Sequence, residues 1–567
     1  MNFKEIIANK ISEITKINKE ELINYIEIPP NADLGDYAFP CFKLAKELRK
    51  SPIAIADELK EKLTFESEIE KIEGTAGYLN FFVNKKIFIK NILARINETK
   101  EQYGKQTIGN GKNIIVEYSS PNIAKPMHMG HLRNTILGGA LYKIYEFLGY
   151  NVTGINFLGD WGINFAKIMA GYAMWKDEYT FTNDSLEPIV KIYVRYNELE
   201  KEKPEYTEIA RQWHLKLEAG DKEAVELWQW IKEISLNEAK KVYELLNCKF
   251  DSYNGEAFCN DKMDAIIQEI KDKNLLVESE GAQVVDLEKY NMPPFIVLTS
   301  AGTTLYATRD ITSLIHRKNT YDFTKALYVV GSEQQLHFKQ LFKVFELMGY
   351  TDYAKNCEHI YYGLILDSEG KKMSTRKGTS LTLLELLNEG IEKAKNIIEE
   401  KNTEVEDKEK LAKQIGIGAI IFNDLSNNKV KDVIFDWDNV LNFTGETGPY
   451  IQYTYVRTKS VLNKAGYIPN FSELDFGLLQ EKETFEVIKL LGNLEEIILN
   501  AAEKNEPSII SRYLIDLAQS YSNFYNEHHI LTEDKKIQDA RLTLTMFVGT
   551  VLKTGMNLLG IETPEKM

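Results

Sequence analysis

Apolar and polar positions change period several times along this chain, and the changes outline its architecture. NIIVEY at 113–118 reads as a strand, and the loop SSPNIAKPMHMG follows it. In HLRNTILGGALYKIYEFLGY, residues Leu132, Ile136, Ala140, Ile144 and Leu148 fall on one helical face. NVTGINF then reads as a second strand and runs into LGDWG. Strand, loop, helix, strand is a βαβ unit, which predicts a parallel sheet with a right-handed crossover. The β-rich pattern resumes with KALYVVG at 325–331 and HIYYGLIL at 359–366. Between the two halves, about residues 176–300, lies a charged and largely helical stretch that reads as an insertion.

The flanks differ from this centre. Before residue 105, helical patterns (Phe3 to Ile17, Ile53 to Leu63) surround the strand-like run IEKIEGTAGYLNFFV, where Gly74 and Gly77 mark turns. After about residue 381, LTLLELLNEGIEKAKNIIEEK and TFEVIKLLGNLEEIILNAAEK carry a helical period, and the last hundred-odd residues read as a bundle. No internal repeat or low-complexity tract interrupts the order.

Composition narrows the class. With 567 residues, 44% hydrophobic and 27% charged, the chain can bury several cores, so a multidomain globular protein is expected. No apolar run approaches the roughly 18 residues of a membrane span, and MNFKEIIANKISEI lacks the apolar core of a signal peptide. No membrane partner and a cytoplasmic location are therefore expected. Cys41, Cys248, Cys259 and Cys357 form no C-x-x-C pair and read as free thiols without a metal site. A net charge of −15 argues against indiscriminate nucleic-acid binding but leaves room for a selective RNA partner met by local cationic patches.

Two segments carry candidate chemistry. His128-Met129-Gly130-His131 stands where a parallel strand gives way to a helix, the place where such sheets bind ligands against a helix N-terminus. Gly130 has no Cβ and lets a ligand come close; the flanking imidazoles can donate to phosphate oxygens. Lys-Lys-Met-Ser-Thr-Arg-Lys-Gly at 371–378 is a dense cationic loop suited to a departing pyrophosphate. Alone, the first could be chance or a metal-binding pair, and the second a solvated loop.

Together, an early H-x-G-H and a late K-M-S on an α/β scaffold resemble the class I aminoacyl-tRNA synthetases. VEYSSPNIAKPMHMGHLRNTILGG at 116–139 is similar to arginyl-tRNA synthetases in particular, as are NFLGDWG, LYATRDI, VVGSEQQLHFKQLF, TGPYIQYTYVR and the terminal LLGIETPEKM, in that order along the chain. The fold implied is multidomain α/β. A small α/β N-terminal domain at 1–105 contacts the tRNA elbow. A Rossmann-like parallel-sheet catalytic domain with helical insertions spans 106–380, a helical connecting region 381–447, and an all-α anticodon-binding bundle 448–567.

The resemblance also implies the parts of the site. ATP falls to His128, Gly130, His131, His337, Met373 and Ser374, with Mg²⁺ assisting. The usual second lysine of the late loop is replaced by Thr375, and Lys125 takes its phosphate role, supported by Lys372, Arg376 and Lys377. L-arginine falls to Glu117, Asn122, Tyr306, Asp310 and Gln334. Two carboxylates suit a guanidinium, a five-donor fork that stays charged. Tyr306 and Asp310 share a face if LYATRDI opens a helix; Asp310 could also be simply a charge at the helix N-terminus or pair internally with Arg309 or Lys325. tRNA(Arg) falls to Tyr450, Tyr453 and Arg457, although some of these tyrosines read equally well as bundle core. The resemblance implies a monomer. A small-molecule nucleotidyltransferase shares the H-x-G-H loop but lacks a long helical C-terminal module; a non-catalytic tRNA-binding relative would tend to lose Lys125, His128, His131, Glu117 and Asp310.

Overall fold

Strand Asn113–Glu117 is buried along almost its whole length, with Ile114, Ile115 and Val116 at most 1% exposed. Burying each such aliphatic side chain stabilises the fold by about 1.5–3 kcal/mol. It is the third strand of a four-stranded parallel sheet ordered Cys357–Ile360, Lys325–Val329, Asn113–Glu117, Asn151–Ile155. The chain leaves it through helix Gly130–Phe147 to the neighbour on one side and later returns to the other side. The strand order therefore reverses between Asn113–Glu117 and Lys325–Val329, and the crevice beyond their carboxyl ends is where a sheet of this kind binds ligands.

The computed structural model describes residues 2–29, 31–182, 185–371, 381–401 and 405–567, which form two compact units. The larger comprises 104–457, 494–516 and 552–567 and contains the parallel sheet. Helix Tyr306–Tyr321 buries Ile311, Leu314 and Ile315 in a core shared with Ile115, Ala326 and Phe345. From the same helix, Arg317 reaches Glu117 at the end of its strand. The inserted region is helical through Glu187–Glu202, Glu205–Glu218 and Lys222–Leu245, as its charge pattern predicts. It departs from that reading at 276–298, where Leu276–Ser279, Ala282–Val285 and Phe295–Leu298 make a small antiparallel sheet. Leu276–Ser279 and Ala282–Val285 show no alternation in burial, and Phe295–Leu298, which does alternate, is apolar at every position, so no period-two sequence signal marks them.

The smaller unit joins residues 1–103 with 458–493 and 517–551. Its antiparallel sheet is ordered Tyr37–Pro40, Tyr78–Val83, Ile69–Thr75. Within it, helix Lys85–Thr99 meets Lys482–Gly492 through the Phe88 and Phe485 rings at 5.6 Å, and the Tyr103 hydroxyl donates to the Leu491 carbonyl at 2.9 Å. The helical character of the C-terminal part is as the periodicity predicts: Lys482–Gly492, Leu494–Glu503, Ser508–Glu527 and Lys535–Leu558 are all helices.

Candidate active site

The loop that follows Glu117 carries strained backbone. Ser119, Ser120 and Ala124 all have positive φ, at 69°, 41° and 62°. Such conformations cost of order 1–3 kcal/mol each and persist only where surroundings enforce them. Here the Ser119 hydroxyl bonds the Tyr243 hydroxyl at 3.0 Å, Asn134 Nδ2 donates to the Ser119 carbonyl at 2.9 Å, and the Ala124 amide donates to Ser235 Oγ at 3.1 Å. The loop is thus a preorganised surface at the switch point.

The two histidines face each other, with ring centroids 4.1 Å apart. The His128 amide donates to His131 Nδ1 at 3.1 Å, and the Gly130 amide to His128 Nδ1 at 3.0 Å. Burial, and then the neighbouring His128, lower the His131 pKa to about 4, so at neutral pH it is an uncharged donor. A Cβ on Gly130 would lie 2.8 Å from the His128 ring, so the glycine makes room for the imidazole as well as for any ligand.

A second cluster gathers at the strand ends. Tyr306 opens helix Tyr306–Tyr321, so Tyr306 and Asp310 do share a face. Asp310 pairs neither with Arg309 nor with Lys325 among the described contacts; its Oδ2 lies 2.6 Å from His337 Nε2, and the His337 ring is 5.0 Å from that of Tyr306. Glu117, 6% exposed, lies close enough to Asp310 to feel its charge: burial first, and Asp310 further, raise the Glu117 pKa, while Arg317 opposes both. Arg317 Nη1 stands 2.5 Å from Glu117 Oε2. Burial pushes Glu256 up to about 7, with Arg309 opposing the rise and Asp310 and Asp160 adding to it. The two acids are linked through one helix: its Arg317 pairs with Glu117, and its Asp310, two turns earlier, pairs with His337.

The remaining expected residues are placed as follows. Asn122 is exposed and bridges to Gly159, where a Cβ would come 2.2 Å from Asn122 Oδ1. Lys125 is exposed and its Nζ lies 5.1 Å from the Tyr193 ring. Both border one cavity of about 50 Å³ with Glu238 and Thr382. Gln334 ends the short turn Ser332–Gln334 and is half-buried. Lys372, Met373, Ser374, Arg376 and Lys377 lie outside the described residues. The segments on either side of them are well anchored: Asp367 Oδ1 accepts from the Glu369 and Lys371 amides at 3.0 and 2.8 Å. Thr382 bridges to His128, and the Leu383 amide donates to the Met127 carbonyl at 2.7 Å. Thr382 and Leu383, which follow in the sequence, thus stand beside the histidine loop. On helix Gly448–Ala465, Tyr453 is 41% exposed with the Arg457 guanidinium 4.9 Å from its ring, Tyr450 is half-buried, and Tyr455 is core at 1%.

Arg317 and Glu256 were not among the expected residues. Arg317 had a usable signal, since it follows Asp310 at two-turn spacing on the same helix. Glu256 had none: only tertiary packing brings its turn to Asp310.

A parallel sheet with a histidine loop and acidic side chains at its switch point is the architecture of a class I aminoacyl-tRNA synthetase. Residues 89–437 match the family described as tRNA synthetases class I (R), catalytic domain; residues 1–83 match the arginyl tRNA synthetase N terminal domain, and 451–567 the DALR anticodon binding domain. The chain belongs to the arginyl-tRNA synthetase family. It is 47% identical to an arginine–tRNA ligase of Alkaliphilus metalliredigens and 49% identical to one of Halothermothrix orenii, covering 100% of both chains in each case. Its fold matches the solved arginyl-tRNA synthetase of Thermus thermophilus with a TM-score of 0.84 at 27% identity, over 100% of both chains.

Proposed function

We propose that this protein activates L-arginine with ATP and transfers it to the terminal adenosine of tRNA(Arg). The observation that carries the reading is Glu117 at the end of its strand paired with Arg317 of the helix that also presents Asp310. The arginine side chain lies along Tyr306 with its guanidinium toward Asp310 and Glu117, and Asn122 and Gln334 take the α-amino and carboxylate groups. Held this way, the carboxylate attacks the ATP α-phosphate in line and pyrophosphate leaves; positioning and electrostatics suffice, and no protein nucleophile is needed.

His128 and His131 donate to phosphate and ribose oxygens. Lys125, Lys372, Arg376 and Lys377 offset charge on the β- and γ-phosphates, with Met373 and Ser374 against the nucleotide. Mg²⁺ would accompany ATP, since this ion is commonly held largely by substrate phosphates. When bound it would neutralise phosphate charge. In the second step the 2′-hydroxyl of the terminal adenosine attacks the adenylate. Residues 1–105 meet the tRNA elbow, and 448–567 the anticodon, through Tyr450, Tyr453 and Arg457; Tyr453 offers an exposed ring for stacking. The protein acts as a cytoplasmic monomer; among the described residues, no helix is long and apolar enough to cross a membrane.

The test is ATP–pyrophosphate exchange with arginine, lysine or glutamine, with and without tRNA(Arg), beside tRNA charging. Exchange and charging with arginine alone are expected, exchange being stronger with tRNA. Preference for another amino acid overturns the assignment.

A further inference from the structure

The pocket argued to hold a guanidinium already contains one of the protein's own. Arg317 is 3% exposed, and its Nη1 lies 2.5 Å from Glu117 Oε2. Its central carbon is 5.2 Å from the Phe157 ring and 5.4 Å from the Tyr328 ring, so two aromatic faces also favour the cation. The same helix presents Asp310 two turns earlier. Tyr328 stands directly opposite Glu117 in the strand register.

This arrangement answers a difficulty. A carboxyl buried beside a second carboxylate tends to keep its proton, and a neutral carboxyl makes no ion pair with a substrate cation. Arg317 opposes that tendency at Glu117. An arginine can do so in the interior because its guanidinium stays charged there, where a buried lysine readily gives up its proton. Besides Asp310 and Tyr328, the groups facing this pair are Cys259, Cys357 and, through its bond to Asp310, His337.

We propose that Arg317 is a positioning residue for the amino-acid step: it keeps Glu117 ionised and fixed at the switch point, so that Glu117, Asp310 and Arg317 together offer one net negative charge to the single positive charge of the substrate side chain. The inference rests on the functional reading above and adds to it the means by which a buried acid pair stays usable.

The test measures the arginine KM in tRNA-supported exchange from about pH 6 to 9 for wild type, Arg317→Met, Arg317→Lys and Arg317→Met with Glu117→Gln. Removing the guanidinium should move the acid-side rise in KM upward by about one pH unit, which is roughly a tenfold higher KM on the acid side, with kcat changed less. Arg317→Lys should restore part of the profile, and Glu117→Gln in the Arg317→Met background should remove the shift. Should Arg317→Met fail to fold, Arg317→Gln carries the same expectation. A wild-type profile in the variant, with only thermal stability lost, overturns the inference alone. Wild type that activates no arginine overturns the functional reading and the inference with it.

Discussion

Asp310 Oδ2 lies 2.6 Å from His337 Nε2, while the Asp310 side chain keeps 25% of its surface open. The imidazole from helix Gln335–Leu347 fixes one oxygen of the carboxylate and leaves the group accessible at the strand ends. Asp310→Asn keeps the shape and removes the charge. A hydrogen bond to a charged group is worth about 1.5–3 kcal/mol, so the arginine KM should rise roughly 10- to 100-fold while the melting temperature changes little. An unchanged KM would remove Asp310 from the pocket.

His131 makes a pH-dependent contribution to stability. Its pKa of about 4 lies below the ordinary 6.5, so between those values the unfolded chain binds a proton that the folded chain does not. The stability from a neutral His131 is therefore complete above about pH 6.5 and is lost as the pH falls toward about 4. His131→Asn should flatten the rise of the urea midpoint across that window and lower turnover far more than it lowers the midpoint at neutral pH. An unaltered acid-side slope would contradict the half-buried, neutral assignment.

Two residues beyond His131, Arg133 ties the histidine helix to the segment that follows helix Lys408–Leu425. It is 2% exposed, its Nε lies 3.2 Å from Asp424 Oδ1, and its Nη1 donates to the Lys431 carbonyl at 2.6 Å. Burial, partly offset by Arg133, pushes Asp424 up to about 6, so removing the guanidinium leaves a poorly solvated acid. Arg133→Met should cost about 3–5 kcal/mol in urea unfolding, and adding Asp424→Leu should recover much of it. A loss below about 1 kcal/mol from the single variant would show the pair to be unimportant.

Gly159→Ala tests the seat of Asn122. The new Cβ would fall 2.2 Å from Asn122 Oδ1 and 3.3 Å from its Cα, so the amide must move. Steady-state exchange should show a several-fold higher arginine KM, with the ATP KM little changed. Equal effects on both substrates would mean that the whole loop shifts.

The first βαβ unit was legible in the sequence because two short apolar runs flank a helix-length stretch. HIYYGLIL, read as one strand, instead divides into Cys357–Ile360 of the parallel sheet and Ile365–Leu366, which pairs with Val433–Ile434. The pairing of Tyr306 with Asp310 was legible because helical spacing alone decides it. The partners of the acids were not. For Asp310 the sequence offered Arg309 and Lys325 as nearby cations, whereas His337 is reached across a packing contact between helices. Arg317 follows Asp310 at two-turn spacing on the same helix, but only the packing shows that it turns inward. The antiparallel strands at 276–298 escaped because short, half-exposed strands inside a charged region carry little period.

The account turns on charge recognition at the strand ends, and citrulline tests it most directly. It has nearly the shape of arginine without the positive charge. Steady-state charging of tRNA(Arg) with arginine and citrulline in parallel should give a kcat/KM for citrulline lower by about two orders of magnitude or more, the scale of losing a charge-assisted bidentate contact together with the desolvation of its unpaired acid. Comparable kcat/KM values for the two would contradict it.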